Sequence, residues 1–252
     1  MIGLSCPGFS LEPVTQIAEK VSANFRLWEI VAEGEHFLPA VKKELAEVRE
    51  TYNLELQVHA PISDINIGSM NTRMRARSFE VLWETLDTAS RLGIETVTIH
   101  PGYLSPLGFY APEKARRNGK ETIMQIDKIN RGYDLNICLE NMPDIPILTC
   151  QSPQEIKEMI DGTDLLFCLD VGHANIANNL DGFKELKDRL GNVHVHDNHG
   201  KKDEHLTIGE GNMDWKAVKD LLSGYDGNII IESKGFESGE ESLKILRKKG
   251  WK

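Results

Sequence analysis

Short apolar runs that stop on a histidine, aspartate or glutamate recur along nearly the whole chain, and this pattern constrains the fold more than any other feature. In order they are QVH ending at His59, TVTIH at His100, NICLE at Glu140, LFCLD at Asp170 with His173 close behind, NVHVH with His194 and His196, and NIIIE at Glu232. A β-strand run that closes on a proton-transferring or metal-binding side chain, repeated this often, is what a ring of parallel strands needs to assemble a site at one rim. Between the runs lie longer stretches, such as FLPAVKKELAEVRETY over 37–52 and RMRARSFEVLWETLDTASRLG over 73–93, with apolar residues at three- and four-residue spacing. Gly93 and Gly250 stand where helices should stop.

The pattern predicts eight strands, at about 2–5, 25–30, 54–60, 96–100, 135–140, 165–170, 192–197 and 228–232, each followed by a helical stretch. Crossovers long enough to be helices, with no lone hairpin signal, imply parallel strands closed into an α/β (β/α)8 barrel, a TIM barrel. A doubly wound open sheet is the competing architecture. Against it, no GxGxxG turn follows the first strand, and the chemistry-bearing residues decorate most strands rather than one switch point. The 252 residues, 40% of them hydrophobic, suit a single barrel domain over 1–252.

A formal charge of −10 opposes a phosphate backbone over most of the surface and argues against a nucleic-acid partner. Cys6, Cys138, Cys150 and Cys168 show no CxxC spacing, and two lie inside apolar runs, so reduced buried thiols and a cytoplasmic location are expected. No signal-peptide pattern opens the sequence, and no apolar stretch approaches the roughly 20 residues that span a bilayer, so no membrane partner is expected. The sequence leaves room for a homo-oligomer.

In a barrel of this kind the strand ends converge on one mouth, which makes neighbours of His59, His100, Glu140, Asp170, His194 and Glu232. Imidazole and carboxylate together suit Zn²⁺ or Mn²⁺, with Co²⁺ also admitted, better than Mg²⁺, and without a CxxC pair the site reads as catalytic rather than structural. Glu140 and Glu232 follow strongly apolar runs, where an uncompensated carboxylate is costly unless paired or metal-bound. Asp170 and His173, in DVGH, can both face the mouth, although Asp170 could equally cap the following helix. The segment 194–215 concentrates His194, His196, His199 and His205 with Asp197, Asp203 and Asp214, too many imidazoles for a merely solvated loop. Cys138 and Cys168, two residues before proposed ligands, are expected to pack one layer below them. Trp28 and Glu29, at the second strand's end, could wall a substrate pocket.

At HAP (59–61), HPG (100–102), EN (140–141), DxxH (170–173), HxHDN (194–198), DEHLTIGEG (203–211) and IES (231–233), the chain resembles the xylose-isomerase-like superfamily of TIM barrels. That superfamily includes sugar isomerases, sugar epimerases, inositol-catabolic isomerase-like proteins and the endonuclease IV family of apurinic-site nucleases. The order and spacing of the motifs, more than any one of them, carry the resemblance, which spans essentially the whole chain. The sugar-epimerase pattern implies Glu140, Asp170, His194 and Glu232 as ligands of one metal, with His173 touching a substrate oxygen. The two glutamates are then also a proton-transferring pair acting through an enediolate. The endonuclease IV pattern implies His59, His100, Glu140, Asp170, His173, His194, Asp203, His205 and Glu232 as a trinuclear zinc set. In the mononuclear arrangement His59, His100 and His196 would instead join His173, Trp28 and Glu29 as substrate-binding residues.

Two departures weigh on the choice. Where the nucleases carry an aromatic that enters DNA, this chain reads Ala60, Pro61, Ile62 and Ser63; where ketohexose epimerases carry an arginine, it has Gly200. The reading favoured by the sequence is a metal-dependent isomerase or epimerase of a small sugar, sugar phosphate or polyol. A zinc-dependent phosphodiesterase acting at abasic DNA is the alternative, and a non-catalytic sugar-binding barrel a third.

Overall fold

The structure, a computed structural model, describes residues 1–251 and closes eight parallel strands into one barrel. They are β1 (Ile2–Ser5), β2 (Leu27–Val31), β3 (Glu55–His59), β4 (Thr96–Ile99), β5 (Asn136–Glu140), β6 (Leu166–Asp170), β7 (Leu190–Val195) and β8 (Ile229–Glu232). The open-sheet alternative fails at the seam, where β1 pairs with β8 from Ile2↔Ile229 to Ser5↔Glu232. Around the ring run α1 (Val14–Ser22), α2 (Leu38–Tyr52), α3 (Thr72–Arg91), α4 (Pro112–Asn130), α5 (Pro153–Ile160), α6 (Val171–Ile176), α7 (Trp215–Leu221) and α8 (Phe236–Lys248). None of the described helices is long and apolar enough to cross a membrane.

Local chemistry sets the boundaries. Asn71 caps α3 by accepting from the backbone N–H groups of Arg73 and Met74, and Gly93 leaves the helix at φ +65. Ser152 and Glu155 form a capping box at α5. Most strand ends fall within one or two residues of the sequence expectation, and three of the differences have identifiable reasons. Phe25 donates its backbone N–H to Val21 at the end of α1, so β2 starts later. His100 precedes Pro101, which has no N–H to extend the ladder, so β4 stops at Ile99. His196 and Asp197 leave β7, and Asp197 pairs instead with Leu206 across an antiparallel bridge.

The outer core is ordinary, with Ile30, Val58, Val97, Leu139, Leu169, Val193 and Ile231 all buried. The barrel interior is not. Asn192 of β7 donates through Nδ2 to Glu29 Oε2 of β2 at 2.9 Å and to Thr98 Oγ1 of β4 at 3.0 Å, while its Oδ1 accepts from Gln57 Nε2 of β3 at 3.2 Å. Strands this far apart in the ring can meet only across its axis. Gln57 Oε1 in turn accepts from Asn228 Nδ2. A hydrogen-bonded polar layer thus occupies the place that bulky aliphatic side chains take in most such barrels, directly beneath the mouth.

Candidate metal centre

The strand-end residues converge on one rim. His59, Glu140, Asp170 and Glu232 are the last residues of β3, β5, β6 and β8, His194 is the penultimate residue of β7, and His100 directly follows β4. Asp170 caps α6 through Oδ1, which accepts from the backbone N–H of His173 at 2.7 Å, and its Oδ2 is buried without a hydrogen bond. The cap and the site are therefore not alternatives.

Glu140 is the centre of the cluster. Its Oε2 lies 3.3 Å from Nε2 of both His59 and His100 and 3.6 Å from Nδ1 of His194, and its Oε1 lies 3.3 Å from Nδ1 of His173. Glu232 approaches His194 Nδ1 at 3.1 Å and His205 Nδ1 at 3.7 Å. Asp203, from the loop after β7, faces Nε2 of His173, His196 and His205 at 3.3, 3.3 and 3.1 Å.

Backing groups fix how each ring presents itself. His59 Nδ1 donates to the Ala60 carbonyl at 2.9 Å and His173 Nδ1 to the Asn141 carbonyl at 2.8 Å, which turns both Nε2 atoms toward carboxylates. His194 is reversed: its Nε2 lies 2.9 Å from Glu29 Oε1, and its Nδ1 faces Glu140 and Glu232. Burial alone would depress these imidazoles. For His59 the Glu140 carboxylate outweighs it and raises the ring to about 9. For His205, Asp203 and Glu232 do the same, again to about 9, and the carboxylates around His194 hold that ring well above its ordinary range. Burial would raise Glu140 and Glu232, but the facing histidines hold both below the usual carboxylate range.

Such a cluster can hold a divalent metal. Buried Asp170 Oδ2, His194 Nδ1, His196 Nε2 and His205 Nδ1 make no hydrogen bond, although each faces into the cluster, and such orphaned donor atoms are costly unless an ion takes them. Several overlapping trios come within metal-bridging reach: His59–His100–Glu140, Glu29–His194–Glu232, Asp170–His173–His196 and His196–Asp203–His205. Cys168 also comes within metal-bridging reach of Glu140 and His194, but burial pushes its thiol far up and keeps it neutral. All four cysteines are free and buried.

Three sequence expectations need correcting. Trp28 is buried and meets His36 edge-on at 5.4 Å; alternation along β2 aims it away from the interior that Glu29 occupies, so it does not wall the mouth. Glu29 is fully buried in the polar layer and contacts His194 rather than open space. His196 is also fully buried and does not line the mouth cavity, because it sits behind Asp203 against α6. That cavity, about 180 Å³, is lined by His59, His100, Glu140, His173, Asp203, His205 and Glu232, and by an apolar wall that includes Ile62, Met142, Ile145 and Leu148. No lysine or arginine lines it.

Sequence reasoning missed Asp197. Its two oxygens accept from the backbone N–H groups of Asn198, Gly209 and Met213 and from Trp215 Nε1, so this one buried carboxylate shapes the loop that carries Asp203 and His205. Gly211 belongs to the same device, since a Cβ there would sit 2.2 Å from Asp197 Oδ1. The tight GEG turn was the available signal.

Residues 17–249 match the family described as the xylose isomerase-like TIM barrel. The chain belongs to that family. An uncharacterized protein of Methanocaldococcus jannaschii is 40% identical over 97% of this chain and 87% of its own length. A crystal structure of a D-tagatose 3-epimerase-like protein is 36% identical, covers 98% of this chain and 96% of its own, and superposes with a TM-score of 0.91. A probable endonuclease 4 of Mycobacterium leprae is 27% identical over 81% of this chain and 82% of its own length. Xylose isomerase-like barrels named for epimerisation and for nuclease action thus both resemble this one.

Proposed function

We propose that this barrel is a divalent-metal-dependent isomerase or epimerase of a small polyhydroxylated carbonyl compound. The observation that carries the reading is the meeting of Glu140 and Glu232 at His194 Nδ1, at 3.6 and 3.1 Å, on the floor of a small cavity with an apolar wall. Glu140, Asp170, His194 and Glu232 would hold the metal, with Zn²⁺, Mn²⁺ or Co²⁺ suited to the donors. A bound metal supplies polarisation of the substrate carbonyl and its neighbouring hydroxyl. One glutamate removes the proton from the carbon beside the carbonyl, and the other returns a proton from the opposite side. The facing histidines hold both carboxyls ionised at rest, so the one that removes the proton is ready as a base, and the one that returns a proton must first take it up from solvent. His59 and His100, in the cavity wall, are placed to bind substrate oxygens. Ile62, Met142, Ile145 and Leu148 exclude water from the reacting carbon. The likeness to the D-tagatose 3-epimerase-like protein supports the reading.

The nine-donor convergence favours a second reading, an endonuclease IV-like phosphodiesterase. Its support is that His59, His100, Asp203 and His205 add donors beyond those one metal needs. Against it stand the absence of any lining lysine or arginine and a cavity below the roughly 300–1,000 Å³ of drug-sized pockets. The test is incubation of metal-loaded protein with a panel of ketoses in heavy water, followed by NMR. Deuterium entering the carbon beside the carbonyl, and absent with Glu140→Gln, is the expected result. No exchange on any member, together with incision of an abasic duplex, would replace the first reading by the second.

A further inference from the structure

We propose that His196 is a metal ligand, completing with His173, Asp203 and His205 a closed site beside the open one at Glu140 and Glu232. The resemblance to known families places His173, Asp203 and His205 among extra ligands but gives His196 no such part. The geometry does. His196 leaves the end of β7 two residues after His194, so both rings enter the barrel's inner side. Its Nδ1 lies 3.4 Å from the Asp197 carbonyl, which leaves Nε2 as the lone-pair nitrogen. That nitrogen lies 3.3 Å from Asp203 Oδ1 and 3.3 Å from Asp170 Oδ1, is wholly buried, and makes no hydrogen bond. A packing histidine would satisfy that atom; a lone pair set between two carboxylates is the arrangement a cation resolves.

The neighbours agree. His205 stacks on His196 at 4.2 Å between ring centroids; His196 faces Asp203 Oδ1, and His205 and His173 both face its Oδ2. Gly172 shows that the ring's place is built in: a Cβ there would sit 2.0 Å from His196 Cε1, so only glycine leaves room for the imidazole against α6. Three imidazoles and one carboxylate fill a tetrahedral zinc shell, whereas a catalytic zinc keeps a position open. A metal there would tie the 197–213 loop to α6 and β7 and present no free position to substrate, whichever reaction the open site carries out.

Two measurements test this, and neither reads activity. Zinc content after dialysis is measured for wild type and for His196→Ala, with circular dichroism to check folding; the variant should hold one zinc fewer per chain and keep the remainder. In ¹⁵N-histidine-labelled wild type, which avoids any folding defect of the variant, adding zinc should move the His196 Nε2 resonance to a metal-bound position. Asp203→Asn, altered from the solvent side, should lose the same single equivalent. Equal zinc content in wild type and His196→Ala, or a His196 Nε2 resonance unmoved by saturating zinc, overturns the proposal.

Discussion

Replacing Glu29 by glutamine should weaken both the fold and metal binding, and the structure sets the size of each effect. Glu29 is fully buried, with Oε2 taking a 2.9 Å hydrogen bond from Asn192 and Oε1 lying 2.9 Å from His194 Nε2. Glutamine fills the same volume but brings an amide N–H₂ where two acceptor oxygens stood. Either it faces His194 Nε2–H donor to donor, or it turns and faces the Asn192 amide in the same way. Breaking one side of a buried charged pair costs about 3 kcal/mol at the lower end of measured cases. At about 2–4 °C per kcal/mol for a domain of this size, Tm of the metal-free protein should fall by about 6–12 °C. Loss of the group that orients a ligating histidine typically weakens metal binding about 10- to 100-fold. Differential scanning calorimetry on chelator-treated protein gives the first number, and competition against a zinc-sensitive dye gives the second. A lowered Tm with wild-type zinc affinity would show that Glu29 only fills the core, and neither change would refute the argument from the His194 contact altogether.

Three further outcomes follow from the site. Glu140→Gln and Glu232→Gln should each lower kcat by more than the roughly hundredfold typical of losing acid–base help alone, since each carboxylate is assigned two tasks; near-normal turnover by either variant on an identified substrate would remove the proton pair. In the metal-free protein His59 and His205 stay protonated to about pH 9, above an unfolded imidazole value of about 6.5. Their pairing therefore stabilises the fold fully below about pH 6.5 and fades toward pH 9, while zinc at the site that includes His205, competing with that ring's proton, should bind about 50-fold more tightly at pH 9 than at pH 7. Isothermal titration in matched buffers reads this, and a flat profile would contradict it. Abasic duplex DNA should bind weakly and remain uncut, because the net charge of −10 opposes the backbone and Ala60, Pro61 and Ile62 offer no aromatic wedge; gel analysis showing specific incision at catalytic protein concentration would reverse the ranking of functions.

The barrel was legible because strand periodicity and strand-end chemistry coincide. Apolar runs such as NICLE and LFCLD announce both a buried strand and the residue it delivers to the rim, and Glu140 and Asp170 end β5 and β6 where the runs stop. What stayed hidden was depth. Trp28 and Glu29 are adjacent in sequence and both lie near the end of a strand, yet one enters the helix-facing core and the other the axial polar layer, a choice made by pairing partners on β3 and β7. His196 was legible as a site residue but not as a buried one, because Gly172, which makes room for it, lies on another strand–helix junction. Asp197 was illegible for a related reason: its four donors come from a loop folded back on itself, and nothing in the spacing HDN reveals that.

The polar axial layer and the crowded rim are consequences of one another. An imidazole such as His194 can present Nδ1 upward only if something below holds Nε2–H, and an aliphatic layer offers no acceptor. Glu29 sets Oε1 2.9 Å from that nitrogen as its charged partner, and its second oxygen accepts from Asn192. Asn192 then needs an acceptor for its remaining amide hydrogen and a donor for its carbonyl, and Thr98 and Gln57 provide them. Gln57 passes the requirement on to Asn228 at the base of the barrel, where the N-terminal ammonium of Met1 closes the chain at 3.0 Å. Each member is explained by the one above it, so a substitution low in the chain, such as Gln57→Leu, should act on the metal site through the orientation of His194 rather than through any contact with it.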